Sequence, residues 1–257
     1  MNEKITMSKT MTNRTQVEQH SIGKSALLHL LPAMIWIIFY IPLARLASEY
    51  GIPSMLVMLI TVALILVSFE VGYLYYQGKK KNGTFSLQGI VLYREKMPWW
   101  QYIIFTVPIV CWAISVFLIG ETITEFMSTK VFYWLPDWYW LSRGNVEQNA
   151  LAIEITMAVL TLIIFGVVGV VAEELYFRGY LLPRLSKLGT WAPLFNVVLF
   201  ILYHFWQPHM LVVGIIGMLP LVYIVWWKRN VYLGIIAHCV MNLAGNILLV
   251  IERLNAL

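Results

Sequence analysis

Seven stretches of this chain, at 26–47, 54–77, 100–120, 151–183, 191–206, 210–227 and 231–251, stay apolar for about the length of a membrane crossing. A hydrocarbon core ~30 Å thick takes about 20 mostly apolar residues at helical rise. Lipid offers no hydrogen bonds to the backbone, so runs of this kind satisfy their own amides and carbonyls by folding as helices. Composition agrees, because AVILMFWYC make up 60% of the residues, DEKR only 12%, and mean hydropathy is +0.74. A soluble domain carries ~25% charged residues, and half of that cannot solvate a globule of this size. The chain reads as an all-α, polytopic integral membrane bundle of about seven transmembrane helices, bounded by six and eight.

Residues 1–25 form a polar tail, and 26–257 read as a single membrane domain. The run after the tail lacks a small-x-small cleavage site and carries Arg45, so it reads as an uncleaved first helix. The segment 121–150, with Trp134, Trp138, Tyr139 and Trp140, reads as interfacial, since Trp and Tyr favour the headgroup level. The formal charge is +5 and the pI is near 9.1. On a soluble chain that points to nucleic acid. Here the basic residues sit in short loops and set topology instead. Seven spans put Lys4, Lys9, Arg14, Lys24, Lys79, Lys80, Lys81, Arg94, Lys96, Arg178, Arg184, Lys187, Lys228 and Arg229 on one side. Arg45, Lys130, Arg143 and Arg253 fall on the other. That asymmetry predicts a cytoplasmic N-terminus and a C-terminus outside. Cys111 and Cys239 both lie within apolar runs, which gives no disulfide framework.

Ionisable residues inside spans are costly and face a bundle interior or a water-filled cavity. Three groups stand out, all in the C-terminal half: Glu173-Glu174-Leu175-Tyr176-Phe177-Arg178, Phe200 to His204, and His238 to Asn242. Glu174 and Arg178 are four apart and share a helical face, so they can pair. Glu173 points about 100° away, on the stripe of Gly166 and Gly169, where small residues admit a neighbouring helix. A buried carboxylate beside another has the raised proton affinity that a general base needs. His238 and Asn242 look the same way from the last helix, with Gly234, Gly245 and Asn246 extending that face. At ~1.5 Å rise per residue, an α-helix running to Pro183 leaves Glu173 ~14 Å from the cytoplasmic end. The same rise puts His204 ~20 Å deep, and His238 and Asn242 ~11 and ~17 Å deep. Independent polar glue between helices has no reason to share a layer, so the groups read as one site.

Two histidines, a base-capable glutamate and an asparagine amide can hydrolyse an acyl bond with water as nucleophile. Glu173 and His204 can hold and deprotonate that water, while His238 and Asn242 donate to the developing oxyanion. A zinc site on Glu173, His204 and His238 is the alternative, although the HExxH signature is absent. Cys239 is a poor nucleophile, since His238 projects about 100° away from it. With no phosphate-binding glycine loop, nucleotide chemistry has no support.

Glu-Glu-x-x-x-Arg at 173–178, Phe-x-x-x-His at 200–204 and His-x-x-x-Asn at 238–242, in this order on successive helices, resemble the type II CAAX prenyl endopeptidase and bacteriocin-processing (Abi, CPBP) intramembrane protease family. The resemblance covers roughly 150–250, which it makes the catalytic core. It implies a membrane-embedded peptidase in which Glu173 and His204 activate water, His238 and Asn242 form the oxyanion hole, and Glu174 and Arg178 support them. No cofactor is expected, with zinc as the alternative, because one His and one Asn on the last helix make a poor zinc set. The implied substrate is a peptide or lipidated protein, and the implied location is a bacterial plasma membrane, with bacteriocin immunity or peptide processing as the setting. The rival reading is a non-catalytic immunity or scaffold protein that binds a peptide or membrane sensor through the same helices. A transporter would show inverted repeats and broken helices, and neither is visible in the sequence.

Overall fold

The computed structural model of the protein describes residues 17–135 and 151–255. The positions Trp138, Tyr139, Trp140 and Arg143, and most of the basic tail, lie outside that range. Among the described residues the fold is helical, and its only strand-like pairing is an isolated bridge between Arg94 and Asn230. In chain order the helices are α1 (Ile22–Glu49), α2 (Ser54–Asn82), α3 (Trp99–Ile119), the short α4 (Glu121–Phe126), α5 (Ala152–Leu188), α6 (Trp191–Tyr203), α7 (Pro208–Lys228) and α8 (Val231–Asn255). Helices α1, α2, α3, α5 and α7 are long and apolar enough to cross a membrane, while α6 and the Val231–Ile247 part of α8 are shorter and apolar. Their outward faces carry exposed Ile38, Leu64, Leu118 and Ile119, an apolar girdle that suits lipid. The molecule is a polytopic helical membrane bundle.

The local chemistry sets these helices. Ser21 starts α1, its hydroxyl accepting the Lys24 amide at 3.2 Å. Gly83, at φ +74°, ends α2 in the left-handed conformation that only glycine adopts freely. Inside, Trp36, Tyr176, Phe177, Tyr203 and Leu181 are fully buried around one core. The Trp36 indole donates to Thr61 Oγ1 at 3.0 Å and ties α1 to α2.

The basic segments meet at one end of the bundle. The amide of His20 donates to the Arg184 carbonyl at 2.9 Å, and that of Leu92 donates to the Gly179 carbonyl at 2.7 Å. Glu95 N bonds Arg229 O at 3.1 Å, and Val231 N bonds Tyr93 O at 2.7 Å. The loop between α2 and α3 therefore lies across the ends of α5, α7 and α8. This is the same-side grouping that seven alternating spans require.

The continuous α-helix expected from 151 to Pro183 is not what forms. Helix α5 widens into π-helical turns at Ile164–Val168 and again at Glu174–Leu181. It then tightens into 3-10 turns over Leu182–Leu188, where Pro183 near the start needs no N–H partner. The uniform rise behind the depth argument therefore fails below Glu173. Carbonyls in the wide turns accept bonds from outside their ladder. Phe165 O accepts from Asn242 Nδ2 at 3.0 Å, Phe177 O from Asn196 Nδ2 at 3.1 Å, and Tyr180 O from Arg184 Nη1 at 2.6 Å. Such turns recur at functional sites.

Helix α6 also departs from expectation. The apolar run continues to Trp206, yet the helix stops at Tyr203, and His204 follows at φ −82°, ψ 38°. Non-helical backbone at membrane depth is tolerated where it lines a cavity inside the protein. His204 and Gln207 do line one.

Candidate active site

A cavity of about 750 Å³ lies among α2, α3, α5, α6, α7 and α8. Most of its wall is apolar, including Met58, Val62, Phe117, Phe165 and Met218. Glu173, His204, His238 and Asn242 contribute polar groups to it, with Tyr203, Gln207 and Asn246 nearby. The structure thus brings all four sequence-predicted residues to one wall. Glu174 and Arg178 are absent from that wall and fully buried behind it.

The Glu173 and His204 side chains face each other, with Oε1 and Nε2 3.6 Å apart. That is too long for a direct hydrogen bond, and it aims both side chains at one spot on the cavity wall, where a single water can touch the two. The other ring nitrogen of His204, Nδ1, donates to the Phe200 carbonyl at 2.9 Å, which turns Nε2 towards Glu173. Because α6 ends at Tyr203, the Phe200 carbonyl near that end is available to fix the ring.

Behind this pair sits a charged cluster. Glu174 Oε1 lies 3.2 Å from Arg178 Nη1 and 2.9 Å from His238 Nδ1. The pairing of Glu174 with Arg178 survives the wide turn, and Glu174 also orients the histidine of α8. The Arg178 guanidinium lies 3.8 Å over the Phe200 ring, a desolvated cation–π contact. Phe200 thus serves three motifs: its ring covers Arg178, its carbonyl holds His204, and its edge meets the His238 ring at 6.0 Å. Gly234 makes room for the cluster, since a Cβ there would lie 2.5 Å from Glu174 Oε2. Gly166 works the same way for α8, because its Cβ would lie 2.5 Å from Leu243 Cδ2.

Asn242 Nδ2 donates one N–H to the Phe165 carbonyl at 3.0 Å, which leaves a second N–H on the same nitrogen. His204 and His238 each commit Nδ1 to a protein oxygen, which leaves Nε2 as the second ring nitrogen, the arrangement that ligating histidines also use. Among the described residues, no three His, Cys, Asp or Glu side chains converge as a metal site.

The N-terminal half also reaches this region, which the sequence reading did not anticipate. Glu70 on α2 is fully buried, its Oε1 accepts the Tyr203 hydroxyl at 3.0 Å, and its carboxylate lies in the field of Glu173 and Arg178. His29 on α1 is fully buried and meets Asn196 Nδ2 through Nε2 at 3.0 Å. The signal was there: Glu70 is a lone carboxylate inside an apolar run, and such a residue is a site candidate by default.

No curated protein and no solved structure matches this chain. A family model does match residues 155–244, the segment holding Glu173, Glu174, Arg178, His204, His238 and Asn242. That model is the Rce1-like, type II CAAX prenyl endopeptidase family of proteases, to which this segment of the chain is similar.

Proposed function

We propose that the protein is an intramembrane peptidase that hydrolyses a peptide bond with water held between Glu173 and His204. The observation that carries this reading is the approach of those two side chains to 3.6 Å at the wall of a largely apolar cavity. A water there accepts from neither wall and donates to both: one proton points at the Glu173 carboxylate, the other at the His204 Nε2 lone pair. Glu173 takes the proton as the water oxygen bonds to the scissile carbonyl carbon, and the C=O π electrons move onto oxygen. The second N–H of Asn242 donates to that oxyanion. His238 does so from Nε2 when it carries both ring protons, with Glu174 accepting the Nδ1 proton. Fixed donors in a site of low dielectric stabilise the developing charge strongly. The oxyanion then collapses, the C–N bond breaks, and Glu173 returns its proton to the leaving amine.

The basic end of the bundle is assigned to the cytoplasm on the Lys and Arg asymmetry, in a bacterial plasma membrane. The apolar wall suits a peptide or lipidated protein arriving from the bilayer, in bacteriocin immunity or peptide processing. The test is turnover of a panel of lipidated and unlipidated peptides by purified protein, with Glu173→Gln as control. Glu173→Gln keeps shape but not basicity, so a loss of at least ~10²–10⁴-fold is expected. Full activity in the folded variant overturns the mechanism. Peptide binding without cleavage by the wild type supports the non-catalytic scaffold instead.

A further inference from the structure

Glu70 is a carboxylate in the middle of a membrane helix, and nothing in the steps above uses it. It sits on α2, outside the segment that matches the family model, with 0% of its surface exposed. Its Oε1 accepts from the Tyr203 hydroxyl at 3.0 Å, across 133 residues of sequence. Its Oε2 is buried with no hydrogen-bond partner. An ionisable group this buried is expensive, so its placement calls for a role.

Tyr203 supplies the link. It is the last residue of α6, and the chain leaves helical geometry at His204 immediately after it. Past that point no helical ladder constrains the imidazole, which is set by its bond to the Phe200 carbonyl and by the rings around it. The Tyr203 and Trp206 rings lie 4.8 and 5.0 Å from the His204 ring. The Tyr203 ring lies in turn against Phe177 at 4.9 Å, within the wide turn that follows Glu174. Fixing the Tyr203 hydroxyl therefore fixes the floor beneath His204. Ring packing alone leaves the Tyr203 hydroxyl without a partner, whereas the buried acceptor on α2 pins its tip.

We infer that Glu70 is a positioning residue: by holding the Tyr203 hydroxyl, it orients the His204 ring towards Glu173. This rests on the peptidase reading for its catalytic consequence, but not for the orientation itself. The experiment compares wild type with Glu70→Gln, Glu70→Leu and Tyr203→Phe, each purified in detergent and checked for folding by thermal melting. Gln keeps an acceptor for the hydroxyl, Leu removes it, and Phe removes the donor while keeping the ring. Histidine-labelled ¹⁵N spectra, with His204→Gln as the assignment control, report the His204 tautomer without reference to turnover.

The expected result is a single Nδ1-protonated His204 in wild type and Glu70→Gln, and mixed tautomers in Glu70→Leu and Tyr203→Phe. Turnover follows the same division: the two disrupting variants lose ~10–100-fold in kcat with KM within about twofold, as for a misplaced reacting group. Glu70→Gln stays within about threefold. An unchanged His204 spectrum in folded Tyr203→Phe overturns the inference, as does damage in Glu70→Gln equal to that in Glu70→Leu, which assigns the effect to charge. If Glu70→Leu does not fold, Tyr203→Phe decides. If wild type cleaves nothing, the peptidase reading fails, and the spectra still settle whether Glu70 orients His204.

Discussion

Glu174 and His238, 64 residues apart, meet through one oxygen: Glu174 Oε1 is 2.9 Å from His238 Nδ1 and 3.2 Å from Arg178 Nη1. One buried carboxylate thus neutralises an arginine of its own helix and aims a histidine from another. The two glutamates of the motif divide the labour, with Glu173 facing the cavity and Glu174 facing the bundle interior.

Arg178→Ala is expected to act on the fold before the chemistry. It leaves Glu174 buried beside a histidine alone, and removing one member of a buried pair costs ~3–5 kcal/mol. The check is thermal melting and membrane abundance. Arg178→Lys recovers little, because an ammonium cannot lie flat on the Phe200 ring as the guanidinium does.

Gly234→Ala tests how tightly α8 is seated on Glu174. A methyl 2.5 Å from Glu174 Oε2 must displace the carboxylate or the helix. Overpacking of this kind costs ~1–3 kcal/mol, read as a lowered melting temperature. Because Glu174 holds His238, turnover falls with it, whereas Gly245→Ala, inside the same helix with open space at its Cβ, raises stability by up to ~1 kcal/mol.

Asn242→Ala is expected to lose ~10²–10³-fold in turnover, the cost of one oxyanion donor. It also strips the Phe165 carbonyl of its donor, so the wide turn above Glu173 loosens and stability drops by ~1–3 kcal/mol. Asn242→Asp keeps the size but cannot donate when ionised, and shows both losses in the same assays.

Acidification is expected to loosen the tail from the bundle. His20, outside the spans, has its pKa pulled down to about 4, by burial first and then by Lys24 and Arg184. Between the unfolded value of about 6.5 and that value, the unfolded state binds the proton and the folded state does not. Stability therefore falls as pH drops through this window, by about 2 kcal/mol at pH 5. Melting curves from pH 7 to pH 5 check this, and His20→Leu flattens the dependence.

Hydropathy alone revealed the helical bundle, because lipid leaves a backbone few options. The Glu174–Arg178 pair was legible too, since residues four apart stay neighbours even when a turn widens. The wide turns themselves were hidden, because they depend on donors from far along the chain, such as Asn242 for Phe165 and Asn196 for Phe177. The early end of α6 was masked by Phe205 and Trp206, which are as apolar as the helix they follow and line cavities instead. Glu70 went unread although it is a charge in an apolar run, and nothing in the sequence names Tyr203 as its partner.

The shortness of α6 has a consequence for the surrounding lipid. Thirteen residues rise ~20 Å, about two-thirds of a hydrocarbon core ~30 Å thick. A bilayer meeting such a hydrophobic mismatch thins beside it, and Leu202, at the end of α6, is 40% exposed. Thinning there would bring bulk solvent towards His204 and shorten the path by which the proposed peptidase obtains its water. Reconstituted in lipids of increasing acyl length, the protein is expected to turn over more slowly, because a thicker membrane resists the dimple that hydrates the site.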